Sequence, residues 1–343
     1  MAKRAAKRVA KKDPVRWGVI STARIGWEKV IPGLMKSKDI EVRAISSRTL
    51  PTARKWAKKL GIPVAYGSYE DMLDDPEIEV VYNPLPNHLH VPLTLAAAAK
   101  GKHVLCEKPI ALSAKEAQKL RSAPGGVFIA EAFMVRQHPQ WLKAREIAQS
   151  GKLGTLRAIQ CYFGYHNVDP KNVRNLADIG GGALYDIGCY PIVTARFIFG
   201  AEPQRVMAVI DRDPEFKTDR TTSAVLDFGE GRQLTFTVST QTVPYQRVNI
   251  FGTKARLEVE IPFNAPQGGA MRLWLDDGKK LGDASAKAIK IEKADQYQLE
   301  GEFFSRVVRG EEENHYGVED AIQQARILDA VFRSAKSGKW EKP

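Results

Sequence analysis

The tripeptide Glu107-Lys108-Pro109 and the run Asp186-Ile187-Gly188-Cys189-Tyr190 contain the residues of this chain best suited to chemistry. The tripeptide directly follows an apolar stretch, residues 103–106, that reads as a buried strand. A lysine at the carboxyl edge of such a strand has a fixed position and a positive charge. An aspartate and a tyrosine four residues apart share one face of a helix. If that face looks across a cleft at Lys108, an ammonium, a carboxylate and a phenol converge. Such a trio can move a proton and polarise an oxygen while a cofactor moves a hydride. A phenol with its ordinary pKa of ~10 is a poor base at neutral pH, so Lys108 is expected to lower the pKa of Tyr190. Lys108, Asp186 and Tyr190 are the catalytic candidates, with Asp186 fixing a substrate hydroxyl.

The elements around Lys108 alternate in type. Strands over 15–20, 40–46, 80–83, 103–106 and 127–130 are separated by helical stretches, one ending near Lys36 and others over 52–60, 89–100 and 113–122. Gly61 closes the second helix, and Ser113 with Glu116 forms a capping box for the last. This alternation implies right-handed crossovers and a parallel sheet, whose ligands bind beyond the carboxyl ends of its strands.

The loop after the first strand, Ser21-Thr22-Ala23-Arg24-Ile25-Gly26, stands where a G-x-G-x-x-G phosphate loop is expected. Two of its glycines are replaced; Gly26 keeps the position that lets helix and strand pack closely. Main-chain N–H groups at the helix start still favour an anion. The second strand ends in Ser47-Arg48 rather than the Asp or Glu that accepts the ribose hydroxyls of NAD. Arg48 can pair bidentately with a 2′-phosphate and Ser47 can donate a hydrogen bond, so the reading is NADP over NAD. Asn83-Pro84-Leu85-Pro86-Asn87-His88 forms a stiff turn that can wall a nicotinamide or ribose.

Beyond about residue 135 the texture changes. Strands over 156–163, 206–210, 223–228, 233–239, 246–251 and 256–261 follow with short turns, which predicts an antiparallel sheet. Helices over 183–199 and 318–337 should cover one face. The second carries the apolar stripe Val318, Ala321, Ile322, Ala325, Leu328 and Phe332. The other face calls for a second subunit. The predicted fold is α/β, an N-terminal Rossmann domain with a doubly wound parallel sheet plus a C-terminal α+β domain with a large, mostly antiparallel open sheet. Its expected division is a disordered basic tail over 1–13, an NADP-binding domain over 14–135 and a substrate-binding and oligomerisation domain over 136–343.

The bulk composition agrees. A chain of 343 residues, 43% of them hydrophobic, can build two cores. No apolar run is long enough to span a membrane. Three cysteines form neither a zinc pattern nor a disulfide scaffold, which implies a reducing, cytoplasmic setting and no metal. The net charge is +12, but Lys3, Arg4, Lys7, Arg8, Lys11 and Lys12 crowd the first 13 residues against Asp13 alone. The remainder is mildly basic, and no basic helix with interleaved aromatics speaks for nucleic acid.

Together these residues resemble the Gfo/Idh/MocA family of nicotinamide oxidoreductases, marked by a glycine-rich loop, an E-K-P tripeptide and a downstream D-x-G-x-H or D-x-G-x-Y. The resemblance runs from about Arg16 to Trp340 and includes Glu131-Ala132-Phe133-Met134 with Arg136, His138 and Pro139. Tyr190 in place of His is similar to the branch of sugar and dihydrodiol dehydrogenases. The resemblance implies a catalytic Lys108, often followed by a cis bond to proline, and Tyr190 as proton donor or acceptor. It also implies NAD(P) held by Ser21, Thr22, Ala23, Arg24, Ile25, Ser47, Arg48, Leu85, Asn87, His88, Glu107 and Lys108. Arg136, His138, Asn172 and Arg174 are candidate contacts to a small sugar or cyclic-diol substrate. An anhydrofructose reductase, an inositol dehydrogenase and a non-enzymatic NADP-binding regulator are the rival expectations.

Overall fold

The computed structural model describes residues 13–343; the expected basic tail lies, but for Asp13, outside them. Short strands built mainly on buried apolar residues make up the first sheet. They are β1 (Val15–Val19), β2 (Ile40–Ser46), β3 (Val64–Tyr66), β4 (Val80–Asn83), β5 (His103–Glu107) and β6 (Ile129–Ala132). All pair in parallel, in the order β3-β2-β1-β4-β5-β6. The strand order reverses between β1 and β4, which opens a crevice at their carboxyl ends.

The intervening helices are α1 (Ile31–Leu34), α2 (Leu50–Leu60), α3 (Tyr69–Leu73), α4 (His90–Ala99) and α5 (Ala114–Ala117). Ahead of α1 the helix is π-wound over Gly26–Val30. Gly61 closes α2 in the left-handed region, at φ 73°. The capping box of α5 is shifted by one residue. Ser113 accepts the Glu116 N–H, but the Glu116 carboxylate takes the N–H of Leu112 at 2.8 Å.

The second sheet has eight strands: β7 (Leu156–His166), β8 (Arg205–Arg212), β9 (Asp219–Asp227), β10 (Gln233–Ser239), β11 (Gln241–Gly252), β12 (Arg256–Val259), β13 (Gly269–Asp276) and β14 (Lys287–Ala294). Their order is β14-β13-β12-β11-β7-β10-β9-β8. Every neighbouring pair is antiparallel except β7 with β10, where the crossover through the intervening helix and two strands brings the chain back in the same direction. Helix α6 (Pro139–Gln149) covers the β12–β14 end, and α7 (Cys189–Phe199), buried along its length, lies under β7 and β10.

The last helices, α8 (Gln296–Val308) and α9 (Val318–Ser337), return to the first sheet. Trp17 of β1 donates its indole N–H to Ser305 Oγ at 3.1 Å, and Lys36 pairs with Asp295, the residue that caps α8. Gly301 inside α8 is a packing requirement, because a Cβ there would stand 2.1 Å from Leu34 Cδ2. Helix α9 spans both halves: Asp329 accepts the N–H of Ala114, and Gln324 donates to the carbonyl of Cys189. Among the described residues no helix is long and apolar enough to cross a membrane.

Candidate active site

Strand β5 runs straight into the cleft. Its last residue, Glu107, accepts the Tyr82 hydroxyl at 2.7 Å, and the following Lys108–Pro109 peptide is cis. Burial pushes the Glu107 carboxyl up. The turn after β4 lies alongside. Asn83, fully buried, donates to the His90 carbonyl and accepts the Leu85 N–H. The His90 ring stands between the carbonyls of Pro109, at 2.7 Å, and Leu85, at 2.6 Å. The loops after β4 and β5 are therefore joined through one imidazole.

On the other wall, the helix bearing Asp186 begins as a π-wound turn, Leu184–Gly188, before continuing as α7. Such turns recur at functional sites. Asp219 caps it, accepting the Leu184 N–H at 2.6 Å, and the Tyr185 hydroxyl reaches the Leu112 carbonyl just beyond the Lys108 turn. The two walls are thus fastened within a few residues of the cleft.

Lys108 Nζ donates to the main-chain carbonyl of Asp186 at 2.5 Å and stands 3.5 Å from Asp186 Oδ1. Asp186 Oδ2 accepts from the Tyr165 hydroxyl at 2.5 Å and from Arg174 Nε at 2.9 Å. Burial alone would raise the Asp186 carboxyl, but the Arg174 and Lys108 cations outweigh it and bring it down to about 2. Burial likewise acts against the Lys108 cation, and the Asp186 charge reverses the sign, so the lysine is held protonated.

Tyr190 differs from the expectation. Its ring packs in an apolar nest with Phe133, Phe163 and Phe263, and its hydroxyl meets Met134 Sδ at 3.5 Å. The Lys108 ammonium lies over the ring, 4.9 Å from its centroid. Burial dominates and drives the phenol well above 10, so the lowering expected from Lys108 is not found.

Arg136 and His138 also depart from their expected roles. Arg136 is buried, paired with Asp320 at 2.7 Å and stacked on Tyr316. His138 is wholly buried and caps α6, its Nδ1 accepting the Gln140 N–H. Asn172 turns inward to its own loop, accepting the N–H of Arg174, and so sets the start of the turn that carries that arginine to Asp186.

The dinucleotide end of the crevice can be judged from its donors. Ser21 takes the left-handed conformation that the first glycine of the fingerprint would supply, at φ 70°, and its Oγ accepts the Ala23 N–H. Thr22, Ala23 and Ile25 are partly exposed at the rim, while Arg24 pairs with Glu28. Gly26 is not a steric necessity, since an added Cβ would meet nothing nearer than 3.8 Å. At the end of β2 the Arg48 guanidinium is exposed and makes no hydrogen bond or ion pair with the other described residues, and the Ser47 hydroxyl beside it is likewise unbonded. His88 Nδ1 is buried without a partner among the described residues, and Leu85 is buried as well. Asn87 is engaged with the Gly180 carbonyl. A free cation, a free hydroxyl and an unpaired ring nitrogen along one crevice fit a dinucleotide carrying an extra phosphate.

Tyr165 escaped the sequence reading. Cys161, Phe163 and Tyr165 alternate onto the face of β7 that meets α7, and the strand runs to His166 rather than stopping at 163. Carrying the alternation two residues further would have placed the phenol beside Asp186.

A doubly wound sheet with a phosphate crevice, faced by a lysine–aspartate cluster on an antiparallel sheet, defines a nicotinamide-type oxidoreductase. Residues 15–123 match the model described as oxidoreductase family, NAD-binding Rossmann fold, and residues 141–258 match the GFO/IDH/MocA C-terminal domain. The chain is 49% identical over 331 residues to the uncharacterized oxidoreductase ORF334 of Rhizobium meliloti, covering 96% of this chain and 99% of that one. It is 35% identical to D-xylose 1-dehydrogenase (NADP(+)) 2 of Haloferax volcanii, covering 94% and 98%. A 3-ketoreductase from Actinomadura kijaniata, solved with NADP and TDP-benzene, superposes with a TM-score of 0.86 at 28% identity, covering 94% and 98%. The chain belongs to the GFO/IDH/MocA oxidoreductase family.

Proposed function

We propose that this protein is an NADP-dependent oxidoreductase acting on a CH–OH group of a sugar or cyclic diol, or on the corresponding carbonyl. The observation that carries the reading is the convergence of Lys108 on Asp186 at the carboxyl edge of the parallel sheet, beside a β2 end that carries the donors Ser47 and Arg48 where an Asp or Glu would accept the ribose of NAD. The named xylose dehydrogenase and the NADP-bound ketoreductase support the same choice of cofactor and substrate class.

When bound, NADP supplies the acceptor or donor of the hydride. Arg48 and Ser47 would hold its 2′-phosphate, and the turn at Ser21–Ile25 its pyrophosphate. Leu85, Asn87, His88 and Glu107 would wall the nicotinamide side. Lys108, kept cationic by Asp186, polarises the substrate oxygen. Asp186 orients a neighbouring hydroxyl. Tyr190, a phenol held protonated, would give its proton to an oxygen that becomes an alkoxide, a stronger base than phenolate.

The same reading includes a division of labour, with residues 14–135 binding the cofactor and 136–343 the substrate. It also includes cytoplasmic residence and a homo-oligomer formed through the outer face of the eight-stranded sheet. The test is the initial rate with NADP⁺ and NAD⁺ against xylose, glucose, other aldoses and a trans-dihydrodiol, with the matching reductions by NADPH. NADP-preferring turnover of at least one is expected. Confirmed NADP binding without turnover in either direction would refute the enzymatic reading.

A further inference from the structure

Lys108 and Asp186 are opposite charges whose side chains are only 12% and 13% exposed, yet Nζ and Oδ1 stand 3.5 Å apart. Charge-assisted N–H···O bonds of this kind close to about 2.7–2.9 Å. Poorly hydrated charges attract strongly, so a gap between them needs a restraint.

The restraint is visible on the other carboxylate oxygen. Oδ2 is held by the Tyr165 hydroxyl at 2.5 Å and by Arg174 Nε at 2.9 Å, leaving Oδ1 to face Lys108 Nζ at 3.5 Å. The two holders differ in footing. Tyr165 directly follows Gly164, a residue of β7 paired on both sides, with Tyr245 of β11 and Ser239 of β10. Arg174 sits on a surface turn with 43% of its side chain exposed. Lys108 meanwhile spends its short bond on the Asp186 main-chain carbonyl, which keeps the ammonium in the cleft without neutralising the carboxylate.

We infer that Tyr165 is a positioning residue that keeps the Asp186 carboxylate from closing onto Lys108, so that substrate oxygens can approach Nζ and Oδ1 from the cleft. Asp186 then works through one oxygen only. Oδ2 is the anchor and Oδ1 the working atom, able to accept a substrate hydroxyl while Nζ donates to the adjacent oxygen. The inference rests on the proposed oxidoreductase function for its meaning, though the open pair itself does not.

The discriminating variant is Tyr165→Phe, which keeps the ring and removes the hydroxyl. Without its anchor the carboxylate is expected to turn onto Lys108 and compete with the substrate. The sugar kcat/KM should fall on the order of 10- to 100-fold, as displacements of about 1 Å do in active sites, while the Kd for NADP stays within about twofold. In an Asp186→Ala background the same change should cost less than about twofold, because no carboxylate is left to collapse. Equal losses in both backgrounds would mean Tyr165 acts by packing alone and would overturn the inference. A crystal structure of Tyr165→Phe reads the restraint without turnover: contraction of Nζ–Oδ1 to about 2.8 Å supports it, and an unchanged gap overturns it. If the native protein binds NADP but turns over nothing, the functional proposal fails, and this distance still decides the inference.

Discussion

Lys108 lies over the face of the Tyr190 ring rather than at its hydroxyl, and this changes what each residue can do. Contact with the face favours the cation through the ring quadrupole but does little for a phenolate oxygen on the ring's edge. Burial therefore governs Tyr190 and raises its pKa above 10. The sign for catalysis follows. A raised phenol is already in its acid form at neutral pH and reaches its base form only in alkali. With Tyr190 as the proposed proton donor, reduction should run at a level rate from about pH 6 to 8, whereas oxidation should climb with pH through 9 and beyond. Measuring kcat in both directions over this range checks the assignment; an oxidation rate already flat at pH 7 contradicts it. The lysine, the aspartate and the free Arg48 were legible because each stands at the end of a strand or in a helix whose period is readable. Arg136 and His138 were not, since Arg136 lies inside the 3₁₀ turn Met134–Gln137 and His138 directly after it, where no strand or helix period tells which side chains face inward.

At the scale of elements, the run Gly180-Gly181-Gly182 shows how sequence can mark a site without explaining it. A Cβ at Gly180 would meet Leu112 Cδ2 at 2.2 Å, and one at Gly181 would meet the Arg174 carbonyl at 2.5 Å. At Gly182, with φ 122°, it would fall 1.9 Å from Asp219 Oδ1. These glycines let the turn bearing Arg174 pass flat between the loop after β5 and the start of the Asp186 helix. Gly182→Ala is then expected to destabilise the fold by about 3 kcal/mol, from backbone strain and displacement of the Asp219 cap together. Urea unfolding measures it, and a loss under ~1 kcal/mol would show that the cap can move aside. The missed elements have comparable causes. Helix α6 opens on Pro139 and α8 contains Gly301, residues that read as breaks when the neighbour requiring them is unseen. Strand β3 is three residues long and only half-buried.

Across the whole molecule, the alternation in both halves was enough to separate a parallel sheet from a mostly antiparallel one. The return of α8 and α9 to the first sheet is a long-range fact that no local pattern contains. The eight-stranded sheet has its inner face filled by α7, and among the described residues no helix packs on the outer one. The register sets Val209, Ser223, Thr237, Tyr162 and Arg247 in one row across it, and Met207, Val225, Thr235, Gln160 and Asn249 in the next. Val209 is 72% exposed and Tyr245 49%, set among the uncharged polar residues Ser223, Thr237, Thr235, Gln160 and Asn249 and the cation Arg247, a mixed surface of the kind non-obligate interfaces bury. If copies of the chain pair through it, Val209→Asp places a charge in a desolvated contact while leaving the isolated fold untouched, because the side chain touches no core. Sedimentation velocity should then show the native assembly falling to the monomer, with the melting temperature of the monomer unaltered. An assembly that survives the charge would move the contact to another surface.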